Sequence, residues 1–194
     1  GAYLWTFHLD AAANVTRTTL ERASIRSREQ LSYVGVQAQL DAGTADASLT
    51  LLPEVGAKRV ELERARGGAS LNRPDEEVVL VDGSYTLVRR AALPVEEWNA
   101  QLSLMTGMAA AKVMLDGRVG ILRTMPPPWP DTLGRFRREV AALGCPWQKD
   151  LAYGQYLRTL DRDEPRGLAA IHAATALFRG AGYTAFDGEL PENT

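Results

Sequence analysis

Arginines beside paired glycines are the side chains of this sequence best suited to binding phosphates. Arg64 and Arg66 stand directly before the pair Gly67-Gly68. Guanidinium groups form bidentate contacts with phosphate oxygens, and paired glycines let a phosphate approach open backbone N–H groups. A helix C-terminus with basic residues and a following glycine would give the same pattern. Both interpretations stay open from the sequence.

Three further arginines, Arg22, Arg26 and Arg28, are candidates for phosphate contacts. Exposed arginines of a strand and of a helix start are the alternative interpretation. The net charge of the chain is −2, so it lacks the overall positive charge typical of nucleic-acid-binding proteins. Any nucleic acid would therefore have to bind in a local basic groove.

Side chains that could bind a metal or attack a substrate are scattered along the chain. His8 and His172 have no partner at metal-ligand spacing. The acidic runs at residues 75–77 and 161–164 stand in polar stretches that indicate a loop or a helix start, so we expect them to be solvated. Cys145 is the single cysteine, which excludes an internal disulfide. We predict no catalytic residue and no metal ligand in this sequence.

The composition is that of an ordinary globular protein, with 194 residues, 45% of them apolar and 24% charged. No stretch approaches the roughly 20 apolar residues that span a bilayer, and the N-terminus lacks a signal-peptide pattern. A single cysteine also fits a reducing compartment. We therefore expect a cytoplasmic protein that does not contact a membrane.

Strand signals come first along the chain. Residues 3–9 alternate aromatic and polar side chains, and a β-branched run at residues 15–19 predicts a pairing strand. Ser27 followed by Gln30 is a capping-box pattern, which predicts an amphipathic helix from there to Gly43. A hairpin followed by a capped helix is the expected start of the fold.

The rest of the chain alternates helix and strand signals. A helix is predicted over residues 45–66, and the Asp82-Gly83 turn predicts a hairpin of residues 76–81 and 84–90. A wide apolar stripe over residues 95–115 predicts a long, mostly buried helix. A short strand, a proline-rich connector and three helices follow, at residues 120–123, 126–130, 131–143, 151–160 and 165–179. We predict one α+β unit, with a mixed or antiparallel sheet packed against several helices.

Five sequence blocks, taken together and in this order, resemble the catalytic RNB domain of the ribonuclease II family. The first is SIRSREQLSYVGVQAQLD at residues 24–41. The others are ERARGGASL, MAAAK, GILRTMPPP and LFRGAGY, at residues 63–71, 108–112, 120–128 and 177–183. The resemblance implies an RNB-like α+β fold and processive 3′→5′ hydrolysis of single-stranded RNA to nucleoside 5′-monophosphates.

The resemblance also assigns possible roles to single residues. Tyr33 matches a tyrosine that stacks beside the last nucleotides in the RNA channel, although a tyrosine that anchors an amphipathic helix would look the same. Gln101 falls where the family carries an acidic residue, unless a gap brings Glu96 or Glu97 there. Those two glutamates also fit a helix N-terminus. Asn72 stands near a position where some members carry a base-clamping aromatic.

Two parts of the family pattern have no counterpart in the sequence. The metal-binding aspartate cluster is expected before residue 1, and an arginine-rich block is expected after residue 194. Residues 1–194 are therefore predicted to be the central part of one RNB domain, with Mg²⁺ ligands elsewhere in the polypeptide. The predicted partners are single-stranded RNA and the remaining segments of the same polypeptide.

Two other functions stay open. The chain could be a catalytically silent RNA-binding module that keeps the scaffold without the aspartates. It could also be a protein-interaction scaffold that uses the helix carrying Trp98 and Met105.

Overall fold

A computed structural model describes residues 1–71 and 75–191 of the chain. Its helices and strands confirm the predicted α+β class. In chain order they are β1 Ala2–Leu9, β2 Val15–Ala23, α1 Tyr33–Asp41, α2 Ala47–Thr50, α3 Leu52–Ala65, β3 Asp75–Val81, β4 Ser84–Arg90, α4 Pro94–Asp116, β5 Val119–Thr124, α5 Pro130–Ala142, α6 Tyr153–Thr159, α7 Pro165–Ala174 with a 3₁₀ turn at Thr175–Leu177, and β6 Gly182–Asp187. The chain divides into two compact units, residues 1–63 with 92–110 and residues 64–91 with 111–194.

The first unit opens with the predicted hairpin of β1 and β2. The strands are antiparallel, and Trp5 and Phe7 stack on one face with their ring centroids 6.1 Å apart. Ala13, in the turn between the strands, is buried and adopts a φ of 62°. Its carbonyl accepts a hydrogen bond of 3.1 Å from the Nη1 of Arg59 on α3. This contact ties the hairpin turn to the helix.

Helix α1 is shorter than predicted. It begins at Tyr33 with Ser32 as its N-cap, and the Ser32 Oγ accepts a hydrogen bond of 3.1 Å from the Gly35 N–H. Residues 24–32 form no helix, so the prediction of a helix that starts at Ser27 was wrong. Two serines satisfy the chemistry of an N-cap, and the chain uses the second.

Helices α3 and α4 form the interior of the first unit. Gly56 on α3 is buried, and a Cβ there would collide with the Trp98 side chain on α4. Val95 and Met105 of α4 are also buried, at 2% and 5% exposure. Met105 is thus buried and Trp98, which is half-buried, packs against α3, while a protein-interaction role of this helix stays a prediction.

The long helix α4 has the predicted bounds to within one residue, but its apolar stripe is less buried than expected. Leu104, Met108 and Val113 are 40%, 42% and 51% exposed. Only part of the stripe is therefore buried in the described structure.

The second unit has its core between α5, α6 and α7. The core joins aromatic and aliphatic side chains that are 6% exposed or less, namely Phe136, Val140, Tyr156, Leu157, Leu160, Ala170, Ile171, Ala174 and Leu177. The glycine turn after α3 packs on α6, because Arg158 donates a hydrogen bond of 3.0 Å to the Gly68 carbonyl. A side chain at Gly154 would collide with the same carbonyl.

The strands pair differently from the prediction of one sheet. Within the described residues they form three separate antiparallel hairpins, β1–β2, β3–β4 and β5–β6. The Asp82-Gly83 turn joins β3 to β4 as predicted, with Asp82 and Gly83 at φ of 49° and 78°. Strand β6 was missed, and it pairs with β5 from Val119↔Asp187 to Thr124↔Gly182.

Candidate nucleic-acid interface

Tyr33 occupies the first position of α1, where the chain changes from extended backbone to helix. Its side chain is 47% exposed, and its hydroxyl accepts a hydrogen bond of 3.0 Å from the Asn99 Nδ2 on α4. The bond fixes the position of the phenol oxygen while about half of the side-chain surface stays open. Sequence reasoning missed Asn99, since the two residues are 66 positions apart.

The same two helices are joined one turn farther along. Gln37 accepts a hydrogen bond of 3.1 Å from the Val95 N–H and donates one of 2.9 Å to Asp41. Glu96 accepts a hydrogen bond of 2.6 Å from the Leu93 N–H. Both contacts satisfy backbone donors at the start of α4, which has no helical partners for them. Glu96 thus caps the helix N-terminus.

Gln101 is buried, with 5% of its surface exposed. Its Nε2 donates to the Glu63 carboxylate, and its Oε1 has no hydrogen-bond partner among the described residues. Asn99 and Gln101 lie two residues apart, about 200° around the helix. The structure therefore brings Tyr33 to Asn99 and Gln101 to Glu63, on different faces of α4, and an RNA contact of Gln101 stays a prediction.

Arg64 lies in the last turn of α3 and Arg66 directly after it, and both are exposed. The Gly67 N–H donates a hydrogen bond of 3.0 Å to the Arg64 carbonyl, at a φ of 76°. This amide closes the helix C-terminus and is not open to a phosphate. Phosphate binding by the two guanidinium groups stays a prediction.

The remaining arginine candidates lie near the first hairpin. Arg22 is exposed on β2 opposite Tyr3, and Arg26 and Arg28 are exposed in the segment before α1. Their roles stay predictions. Asn72 lies outside the described residues.

The acidic run at residues 75–77 lies on β3, which agrees with the strand predicted over residues 76–81 and shows that the run is not in a loop or a helix start. Across the β3–β4 hairpin, Asp75 pairs with Arg90 at 2.9 Å and Glu76 with Arg89 at 3.2 Å. These pairs are cross-strand contacts at the open end of the ribbon, where opposite charges stabilise the pairing modestly.

Side chains that could hold a metal ion do not cluster in the described part of the chain. Among residues 1–71 and 75–191, no three His, Cys, Asp or Glu side chains lie where together they could hold a metal ion. The described residues therefore supply no set of three side-chain ligands for Mg²⁺. In the same part of the chain, every helix is too short or too polar to cross a bilayer.

The sequence matches no protein-family model and no curated protein. Solved structures do match. Ribonuclease R of Mycoplasma genitalium, in complex with ribose-methylated single-stranded RNA, gives a TM-score of 0.80 over 96% of this chain at 15% identity. The same enzyme in complex with double-stranded RNA gives 0.78 over 94% at 16% identity. Yeast Ssd1, a pseudonuclease, gives 0.64 over 95% at 17% identity.

The aligned region is only part of each of these proteins. It makes up 33% and 35% of the two ribonuclease R chains and 24% of Ssd1. This chain thus spans about a third of the length of the ribonuclease R chains that it matches. At these identities the likeness shows a shared fold. Over nearly all of its length the chain has the fold of these ribonuclease R structures, which confirms the resemblance to the RNB domain predicted from its motifs.

Proposed function

We propose that this chain is the RNA-channel part of a ribonuclease II-type 3′→5′ exoribonuclease, which hydrolyses single-stranded RNA to nucleoside 5′-monophosphates. The observation that carries the proposal is the shared fold with a ribonuclease R structure that holds single-stranded RNA. The order of the sequence blocks supports the same function independently of the fold. We expect the protein to act in the cytoplasm.

Tyr33 is the residue proposed to hold the RNA end. Stacking of a base on an aromatic ring is worth about 1–3 kcal/mol and tolerates any base, which suits an enzyme that degrades RNA of every sequence. The hydrogen bond from Asn99 holds the phenol before RNA binds. A ring that is already oriented loses less conformational entropy on binding.

Exposed arginines are proposed to hold the phosphates. Arg26, Arg28, Arg64 and Arg66 are all exposed, and arginine contacts to phosphates make binding weaken as salt is raised. Gln101 is proposed to act near the RNA end in place of the family's acid. Its Oε1 has no hydrogen-bond partner in the described structure, but the atom is buried, so a contact with RNA would require the surroundings of Gln101 to open.

Hydrolysis by this route requires Mg²⁺, which would generate hydroxide and neutralise charge on the reacting oxygens. Because the described residues supply no ligand set, we propose that the remaining segments of the same polypeptide hold the ion. This chain would then bind and orient RNA and would not turn it over alone.

A silent RNA-binding module is the second candidate function. The observation that favours it is the match to Ssd1, a pseudonuclease that shares this fold at a TM-score of 0.64. The two functions predict the same RNA contacts and differ in whether a phosphodiester bond is cut.

The intact gene product separates these functions. With Mg²⁺ and a uniformly labelled single-stranded RNA, the enzyme should release labelled nucleoside 5′-monophosphates, and EDTA should stop the release. RNA binding at low salt without any release would instead establish the silent module. If the gene product neither bound RNA nor released nucleotides, that result would contradict both functions.

Tyr33→Ala tests the site within an active enzyme. The variant should change the length of the shortest products, because the terminal nucleotides are held less firmly, while its Mg²⁺ dependence should stay unchanged. Tyr33→Phe is the matched control, since it keeps the ring and removes only the hydroxyl that meets Asn99. End products of Tyr33→Ala identical to those of the unsubstituted enzyme would exclude this role.

A further inference from the structure

A second exposed aromatic surface lies in the other unit, at one end of the β5–β6 hairpin. Trp129 is 59% exposed, and the Arg179 Cζ lies 3.7 Å from the centroid of its ring. Arg179 also donates a hydrogen bond of 3.3 Å to the Pro127 carbonyl. The guanidinium group is thus fixed over one face of the indole, and more than half of the side-chain surface stays open to solvent.

The backbone around Trp129 is stiff. Pro126, Pro127 and Pro128 precede it and Pro130 follows as the first residue of α5. Proline restricts its own φ and the conformation of the residue before it. The ring is therefore presented from a segment with little freedom to lose on binding.

The exposed face of the hairpin continues this surface. Arg123 and Tyr183 are directly opposite each other in the β5–β6 register, and both are exposed, Tyr183 by 71%. The pairing of Thr124 with Gly182 brings the segment that leads to Trp129 beside the segment that follows Arg179. Two aromatic rings and two guanidinium groups thus lie at the same end of the ribbon.

The charge of this region differs from that of the whole chain. Residues 117–130 and 172–186 contain Arg118, Arg123 and Arg179 and no Asp or Glu, whereas the chain as a whole has a net charge of −2. Asp116, Asp131 and Asp187 stand directly outside these stretches, so the positive charge is confined to the stretches themselves. A local positive charge beside open aromatic rings complements a nucleotide, which offers a flat base and an anionic phosphate.

We propose that Trp129 and Arg179, with Arg123 and Tyr183 beside them, form a second binding surface for single-stranded RNA. One base stacks on the open face of Trp129, and the guanidinium groups neutralise neighbouring phosphates. This surface shares no residue with the contacts of Tyr33 and adds affinity for RNA. The choice of RNA as the ligand rests on the proposed function.

Binding of a 5′-fluorescein-labelled oligouridylate to the intact gene product, measured by anisotropy in EDTA at low salt, tests the proposal. Trp129→Ala should weaken binding by about tenfold, and Trp129→Phe, which keeps a stacking ring, by no more than about threefold. Arg166→Ala is the matched charge control, because it removes an exposed arginine of the same unit whose ion pair with Glu164 spans 3.7 Å. Its affinity should change by less than about twofold.

A measurement on the unsubstituted protein removes any dependence on how the variants fold. Oligouridylate carrying 5-iodouridine should crosslink on irradiation to a peptide that contains Trp129. Unchanged affinity of Trp129→Ala together with no crosslink at residues 123–130 or 179–183 would overturn the second surface and leave the proposed function intact. Loss of a protein partner by Trp129→Ala with RNA affinity unchanged would also overturn it, in favour of a protein-docking surface. No RNA binding by the unsubstituted protein would overturn both proposals.

Discussion

Two tryptophans of the second unit lie beneath an arginine, yet their surroundings differ. The Arg137 Cζ lies 4.0 Å from the Trp147 ring centroid, and the Arg179 Cζ lies 3.7 Å from that of Trp129. The Trp147 Nε1 donates a hydrogen bond of 2.9 Å to the Leu151 carbonyl. No described residue accepts a hydrogen bond from the Trp129 indole, which is 59% exposed.

The two tryptophans differ most in what contacts the ring face that the arginine leaves uncovered. Trp147 stacks on Tyr156 at 5.4 Å, lies 5.6 Å from Tyr153 and meets Phe136 edge-on at 5.9 Å. Its two faces are thus occupied, one by Arg137 and the other by the aromatic core. A contact between arginine and tryptophan therefore does not by itself assign a role. The surroundings of the other face separate a core residue from a surface that is free to bind.

Replacement of each tryptophan gives the largest contrast. Trp147→Ala should lower the free energy of unfolding by about 2–3 kcal/mol, because it removes a partly buried ring that packs against the aromatic core. Trp129→Ala should cost less than about 1 kcal/mol, since it removes one exposed cation–π contact. Urea titrations followed by circular dichroism measure both changes. An equal loss of unfolding free energy in the two variants would show that Trp129 also stabilises the core, and would weaken its assignment to RNA binding.

Alkaline pH should act on the surroundings of Trp147 first. Burial raises the pKa values of Tyr153 and Tyr156 from about 10 to about 12. The folded pKa exceeds the unfolded one, so the stabilisation is fully present below pH 10 and is lost as the pH rises through 12. Thermal unfolding measured from pH 9 to 12 should show this decline. Tyr156→Phe should flatten the curve, and an unchanged curve would contradict the assignment.

The arginines give the smallest expected contrast. Arg137→Ala should lower the free energy of unfolding by about 1 kcal/mol, because it loses its contact with Trp147 and a hydrogen bond of 3.4 Å to the Trp147 carbonyl. Arg179→Ala should change stability by about 0.5 kcal/mol or less and should instead weaken RNA binding several-fold. The same urea titrations and anisotropy measurements serve as the test. If Arg179→Ala instead lowered stability and Arg137→Ala weakened RNA binding, the structural role would belong to the Arg179–Trp129 pair and the binding role to the Arg137–Trp147 pair.

Local sequence patterns were sufficient to predict the bounds of several helices and turns and insufficient to predict those of others. The Asp82-Gly83 turn and the bounds of α4 followed from residues close together in sequence. The start of α1 did not, because Ser27 and Ser32 both satisfy the local rule for an N-cap. The contacts of the helix with α4 begin at Tyr33, and these contacts are invisible in sequence.

The candidate site shows the same division. The five sequence blocks in their order, the first of which contains Tyr33, were sufficient to identify the fold that the structural comparisons confirm. The partners of its residues were not predictable, because Asn99 meets Tyr33 across 66 positions and Glu63 meets Gln101 across 38. Strand β6 was missed for a related reason, since its pairing with β5 joins segments about 60 residues apart.

The sequence by itself determined the hairpin turns, most helices and the resemblance to an RNA-degrading domain. Each of these depends on side chains within a few positions of one another, or on the order of short motifs. Only the tertiary structure decided that Trp147 packs against the core while Trp129 is open to solvent, and that the phenol of Tyr33 is held by Asn99. Burial and long-range hydrogen bonds depend on which segments distant in sequence pack against each other. Periodicity and capping rules carry no information about those tertiary contacts.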